Sequence, residues 1–108
     1  MINIALVGCG YWGPNLIRNF MACPLTNLIC CCDLDLNRLN YVLIHYYPHV
    51  RKTISLQTLL EDKNIDTVVI ATPVLTHFPI AKACLKSGKH VLVEKRLQRF
   101  AKLNLNQF

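Results

Sequence analysis

Residues 2–15 read INIALVGCGYWGPN, and the fold depends on how these positions are parsed. Ile2 to Val7 is a short apolar run closed by Gly8, the pattern of a buried strand. Gly8-Cys9-Gly10-Tyr11-Trp12-Gly13 is a GxGxxG run, and Leu16, Ile17, Phe20 and Met21 follow it at helical spacing until Pro24 ends the helix. Strand, glycine turn and helix is the context in which this motif holds a dinucleotide. Gly8 permits the tight turn, Gly10 lets backbone approach a pyrophosphate, and Gly13 lets the helix pack closely on the strand. The helix start offers free N–H groups and the positive end of its dipole to phosphates. Pro14 removes one donor where that donor is expendable. Tyr11 and Trp12 fill the variable positions and are assigned with the glycines to the cofactor loop. The competing reading is a glycine turn with no ligand.

Outward from the motif, Leu28 to Cys32 reads as a second buried strand ending at Asp33, twenty residues beyond Gly13. An acid at that place accepts from both adenosine ribose hydroxyls and repels a 2′-phosphate, so NAD is expected over NADP. Arg38 on the next helix would act against that preference. Asp33 is alternatively a helix cap, a role for which Asp35 is an equal candidate. Leu36 to Tyr46 is helical with Leu36, Leu39 and Leu43 on one face, and Pro48 marks its end. Arg51 to Ile54 is a weak strand, and Ser55 caps a short helix bearing Leu56, Leu59 and Leu60. Thr67 to Ala71 is a third clear apolar strand, broken by Thr72-Pro73. Thr76 is then read as an N-cap, Pro79 as a first-turn residue and Gly88 as the helix stop. On that helix Lys82, Lys86 and Lys89 are placed on a polar face, with Phe78, Ala81 and Leu85 inward. His90 to Val93 is the next strand. Strands alternating with helices of this length predict βαβ units: a doubly wound α/β fold, a parallel sheet with helices on both faces.

Composition narrows the function classes. The 108 residues are 53% hydrophobic and 17% charged, which excludes a disordered chain. A single unit of this size buries roughly 65% of its unfolded surface without needing disulfides or metals. No apolar run approaches the ~18 residues of a bilayer span, so no membrane partner is expected. Met1 to Gly8 lacks the basic region and cleavage site of a signal peptide, so a cytoplasmic location and reduced thiols are expected. Cys30, Cys31 and Cys32 alternate faces on a strand and cannot converge on one ion, and there is no CxxC pair. They read as small core residues, with no metal site. The formal charge of +6 lies entirely in residues 51–108, and from Lys82 onward seven basic residues face one acid, Glu94. Clustered Lys and Arg could mark a nucleic-acid footprint. Without a recognition motif of that class, a solvated helix face plus a basic tail is the preferred reading.

Three motifs, GCGYWGPN at Gly8–Asn15, ATPVLTH at Ala71–His77 and GKHVLVEK at Gly88–Lys95, stand in order on the expected elements. With them the sequence resembles the glucose–fructose oxidoreductase/inositol dehydrogenase (Gfo/Idh/MocA) family over most of residues 1–95. The GYWGPN variant is similar to members acting on sugar nucleotides and related sugars. The resemblance implies a Rossmann-type NAD-binding domain over 1–95, with Thr72 and Pro73 lining the ribose and nicotinamide. His77 matches the family's histidine opening the next helix and is grouped with the cofactor site, though a plain helix-start histidine is an equal reading. Glu94 and Lys95 match the first two residues of the Glu-Lys-Pro motif, whose lysine sits beside the nicotinamide and assists proton handling at the substrate hydroxyl. Lys95 is thus the catalytic candidate, needing a depressed pKa as a base, with a surface lysine as the alternative. Glu94 is grouped with the cofactor residues.

Two departures follow. Arg96 replaces the motif proline, and a cis bond before a non-proline residue costs ~3–4 kcal/mol, so Lys95 is expected to lose that geometry. The chain also stops where the family continues into a second α/β domain bearing the substrate pocket, the catalytic histidine or aspartate and the oligomer interface. Residues 96–108 read as a basic, Asn/Gln-rich tail. The leading expectation is the NAD-binding domain of an oxidoreductase transferring hydride between nicotinamide and a sugar hydroxyl, truncated and without turnover alone. The alternative is a non-catalytic dinucleotide-binding module or partner subunit, a homo-oligomer through the surface the second domain would cover.

Overall fold

A computed structural model describes residues 1–10 and 13–93. Tyr11, Trp12, Glu94, Lys95, Arg96 and the tail of the sequence reading lie outside the described residues. Among the described residues five strands and four helices alternate: β1 (Ile2–Val7), α1 (Gly13–Ala22), β2 (Thr26–Cys32), α2 (Leu36–Tyr46), β3 (Arg51–Thr53), α3 (Leu56–Glu61), β4 (Thr67–Ile70), α4 (His77–Lys86) and β5 (His90–Val93). A 3-10 turn, Val74–Thr76, precedes α4. All the strand pairs are parallel, in the order β3-β2-β1-β4-β5. The order reverses between β1 and β4, and a crevice at the carboxyl ends of the strands follows from that reversal.

The period-two alternation of the strands divides the core into two layers. Ile4 and Leu6 of β1, Cys31 of β2 and Val69 of β4 pack with Ile17, Leu39 and Leu43 of the first two helices. Ala5, Val7, Cys30, Cys32, Val68 and Ile70 point to the other face, onto Leu59 and Cys84 of α3 and α4. Both sheet faces are therefore covered, the condition under which parallel strands read as continuous apolar runs. The three consecutive cysteines split as the alternation predicts, and five of the six thiols are buried, with Cys23 half-buried. Burial pushes the Cys32 thiol up to about 11. The Cys9 thiol beside Cys31, together with burial, raises Cys31 further. These thiols stay protonated at neutral pH and act as small apolar side chains.

Local signals fix most element ends. Asp35 starts α2 by accepting from the backbone N–H groups of Asn37 and Arg38, and Ser55 starts α3 through Thr58 N–H. Gly88, at φ 80°, takes the left-handed turn that ends α4. β2 begins at Thr26, two residues earlier than the apolar run suggested, because Thr26 and Asn27 pair with Ile2 and Asn3. β4 ends at Ile70, although Ala71 N–H still donates to Val7 O.

The outer helix corrects the sequence reading. Phe78 and Leu85, placed inward, are 76% and 62% exposed, and the buried side of α4 is His77 and Cys84. Apolar residues occupy both sides of α4, so periodicity alone could not set its rotation. Thr76 stands at the N-cap position in helical backbone geometry and makes no capping bond with its side chain. Lys89, placed on the polar face, is buried: its Nζ donates to the carbonyls of Asp62 and Ile65. It ties the end of α3 to the start of β5. Among the described residues, no helix is long and apolar enough to cross a membrane.

Candidate functional site

The crevice is built from the first residues beyond β1, β2 and β4. Gly8 extends β1 by one rung, donating to Cys32 O at 2.8 Å, and then turns at φ 98°. A Cβ on Gly8 would lie 2.9 Å from the carbonyl carbon and oxygen of Ala71 and from Cγ2 of Thr72. No side chain fits between the glycine turn and the β4 loop. The first motif glycine is thus required twice, by its dihedral and by the backbone against it.

Gly10 is different. Among the described residues, a Cβ there would have only Arg38 Nη1 within 4 Å, at 3.7 Å, so these residues leave the space above its backbone open. This is a cradle that a Cβ would begin to fill, three residues before the helix start at Gly13. Open backbone next to a helix N-terminus suits a pyrophosphate, so the residues present fit a dinucleotide. Gly13 is the first residue of α1 and Pro14 stands in its first turn, as expected from the motif.

Asp33 stands directly after β2 and reaches under this loop. Its Oδ2 accepts from Cys9 N–H at 2.8 Å and its Oδ1 from Asp35 N–H at 2.9 Å. Each oxygen keeps a further lone pair for a ribose hydroxyl. The cap of α2 is Asp35, whereas Asp33 joins the glycine turn to the start of that cap. Arg38 Nη1 lies 3.7 Å from Asp33 Oδ2, with its side chain about half exposed. The carboxylate and the cation therefore stand at the same rim, with opposite consequences for a 2′-phosphate.

On the β4 side, the residues from Thr72 to His77 bond among themselves. The Thr76 hydroxyl donates to Pro73 O. A hydroxyl has one proton, so the 2.6 Å contact between Thr72 Oγ1 and Thr76 Oγ1 takes its proton from Thr72. His77 is buried, and its Nε2 lies 2.6 Å from Thr72 O. Because a carbonyl only accepts, Nε2 carries the proton and donates. The sequence reading grouped Thr72, Pro73 and His77 at the site but missed this network. The four-residue spacing of Thr72 and Thr76 was the available signal, and it was spent on a helix cap.

The structure thus brings Gly8, Gly10, Asp33, Thr72 and Pro73 to the carboxyl ends of β1, β2 and β4, with His77 behind the β4 loop. Tyr11, Trp12, Glu94 and Lys95 fall outside the described residues.

Comparison with known proteins adds the following. Residues 2–99 match the family described as "Oxidoreductase family, NAD-binding Rossmann fold" (GFO_IDH_MocA). Glycosyl hydrolase family 109 protein 4 of Phocaeicola vulgatus is 31% identical over 106 residues, covering 87% of this chain and 20% of that protein. The crystal structure of GenD2 from gentamicin A biosynthesis, in complex with NAD, superposes with a TM-score of 0.80 at 33% identity, over 89% of this chain and 27% of GenD2. KijD10, a 3-ketoreductase from Actinomadura kijaniata in complex with NADP and TDP-benzene, gives 0.79 at 25% identity, over 89% and 29% of the two chains. The chain spans about a fifth of the length of its curated relative and under a third of these two structures.

Proposed function

Because the chain belongs to the Gfo/Idh/MocA oxidoreductase family with its NAD-binding Rossmann fold, we propose that it holds the cofactor of an NAD-dependent oxidoreductase acting on a sugar or sugar-nucleotide hydroxyl. When bound, the nicotinamide supplies hydride chemistry at the carbinol carbon. The chain's own residues bind and orient. Gly8 sets the turn, Gly10 and the start of α1 receive the pyrophosphate, Asp33 accepts from the adenosine ribose, and the Thr72-Pro73 loop bounds the other half. Lys95, by the family resemblance, takes or returns the hydroxyl proton.

The observation that carries this reading is the convergence of Gly10 and Asp33 at the reversal of strand order, with the Asp33 carboxylate held toward the glycine loop. The relatives support a sugar substrate: one is named a glycosyl hydrolase, another belongs to gentamicin A biosynthesis, and a third is a ketoreductase bound to TDP-benzene. Asp33 supports NAD as the preferred cofactor, against NADP, which is bound in one of these neighbours. Buried, unpaired thiols fit a reducing compartment such as the cytoplasm.

The share of its relatives that the chain spans supports a further part of the proposal, that these 108 residues bind NAD without turning over a sugar alone. Calorimetric titration of NAD and NADP tests the cofactor assignment. Saturable binding with at least about a tenfold preference for NAD, about 1.4 kcal/mol, is expected. Absence of saturable binding refutes the dinucleotide site, and equal affinities refute the preference. Sustained NADH formation from a sugar panel would refute the lack of turnover.

A second reading, an NAD-binding module that self-associates, is favoured by the apolar side chains on the β5 side: Phe78 is exposed on α4 and Leu92 on β5. Gel filtration with and without NAD decides it. A ligand-dependent increase in size supports self-association, and an unchanged monomer refutes it.

A further inference from the structure

Resting on the dinucleotide reading above, we propose that His77 is a positioning residue for the nicotinamide half of the bound cofactor. It never touches the ligand and acts through the Thr72 carbonyl. Three observations carry this. The His77 ring is buried at the base of α4, only 9% exposed, and spends its Nε2 proton on Thr72 O at 2.6 Å. The carbonyl it holds belongs to the peptide joining Thr72 to Pro73, and Pro73 has no N–H with which to anchor the loop. The hydroxyls of Thr72 and Thr76 close the loop from the other side, Thr72 onto Thr76 and Thr76 onto Pro73 O.

The loop so fixed is one wall of the crevice. Ala71 and Thr72 leave no room for a Cβ on Gly8, so the β4 loop and the glycine turn lie directly against each other. The two halves of a dinucleotide lie on either side of the strand reversal. Asp33, after β2, marks the adenosine side. The remaining half therefore lies over β4, against the Thr72-Pro73 wall. Loss of the His77 bond frees the wall that meets the nicotinamide ribose and leaves the adenosine side unchanged.

That asymmetry gives a readout which general damage to the fold would not produce. ADP carries the adenosine and pyrophosphate but not the second ribose, so it reports on the glycine loop and Asp33 alone. NAD and ADP are titrated into the wild-type chain and into His77→Ala, His77→Gln and Thr76→Val. His77→Ala is expected to weaken NAD about tenfold, the scale of one lost hydrogen bond to a buried carbonyl, and to leave ADP within about twofold. His77→Gln, whose amide N–H can reach the same carbonyl, restores NAD affinity. Thr76→Val, which breaks the hydroxyl relay and leaves the histidine in place, shifts NAD in the same direction and serves where His77→Ala fails to fold. Equal weakening of NAD and ADP, or no change in either, overturns the positioning role. Wild-type binding of neither ligand overturns the dinucleotide reading first, and the positioning role with it.

Discussion

Adding one methyl group at Gly8 and at Gly10 should separate the structural duty of the motif from its ligand duty. At Gly8 the methyl meets two costs. The backbone is at φ 98°, where an L side chain costs about 1–2 kcal/mol. The new Cβ would also lie 2.9 Å from Ala71 C, Ala71 O and Thr72 Cγ2, closer than real contacts allow. Two of those atoms are backbone of Ala71, whose N–H is bonded to Val7 O, so relief requires moving the β4 loop, at about 1–3 kcal/mol as for other overpacked sites. Together Gly8→Ala should cost about 2–5 kcal/mol, lowering the Tm of a domain this size by at least about 8 °C. At Gly10 neither cost arises among the described residues: φ is not positive, and the contact a Cβ would make is with Arg38 Nη1 at 3.7 Å, the end of a flexible side chain. Gly10→Ala should therefore stay within about 0.5 kcal/mol of wild type. Its methyl projects into the space reserved for pyrophosphate, so NAD affinity should fall by at least about tenfold. Thermal unfolding followed by circular dichroism and calorimetric titration of NAD measure the two effects. A Gly8→Ala protein with wild-type Tm would refute the close approach of β1 and β4. A stable Gly10→Ala protein that binds NAD as tightly as wild type would remove the pyrophosphate from that loop.

Other outcomes follow from the core. Of the six thiols only Cys23 is partly accessible, so DTNB should modify one cysteine in the native protein and all six after denaturation; several fast-reacting thiols would contradict the packing. Cys32 ionises near 9.0 when unfolded and at about 11 when folded, because burial disfavours its thiolate. Stability present below pH 9 should therefore be lost between pH 9 and 11, at about 1.4 kcal/mol per pH unit for this thiol, and a urea midpoint constant over that range would refute it. Lys89→Met keeps the aliphatic stem but strips the Asp62 and Ile65 carbonyls of their buried donor. A loss of about 2–4 kcal/mol in urea unfolding is expected, and unchanged stability would mean that water replaces the ammonium.

The parts of the fold that were legible in the sequence are those where one residue type has one physical use. The apolar runs ending at Gly8, Asp33 and Thr72 could only be buried strands, and Ser55 and Gly88 end or begin helices as their chemistry dictates. Where a residue type has two uses, reading failed or stalled. Asp33 and Asp35 were interchangeable as a pair of acids, and only the position of Cys9 N–H, 24 residues away in sequence, separates them. Phe78 and Leu85 are as apolar as any core residue; the rotation of α4 is set by the 3-10 turn and by the histidine behind it, neither of which has a periodic signature. Lys89 was read by its charge, while its place is determined by two carbonyls from a distant helix end. Of the candidate site, the glycines and Asp33 were picked out by spacing, and the Thr72–His77 network was overlooked because each bond in it uses a residue with an ordinary reason to be there, Thr76 as a helix cap among them.

The strand order also has a consequence in time. β1 sits at the centre of the sheet, and its partner on one side is β4, with Ile4 beside Thr67. During synthesis at about 5–20 residues per second, that flank of β1 waits roughly 3–13 s for its neighbour to be made. Through that interval this largely apolar strand presents an open ladder of backbone donors and acceptors, the situation most prone to wrong pairing. Parallel pairing across so many residues also carries the loop-closure cost that slows folding. The crevice cannot exist before this step, because Gly8 and Thr72 form it together. A nascent chain becomes able to hold a dinucleotide only when the sheet closes around its first strand.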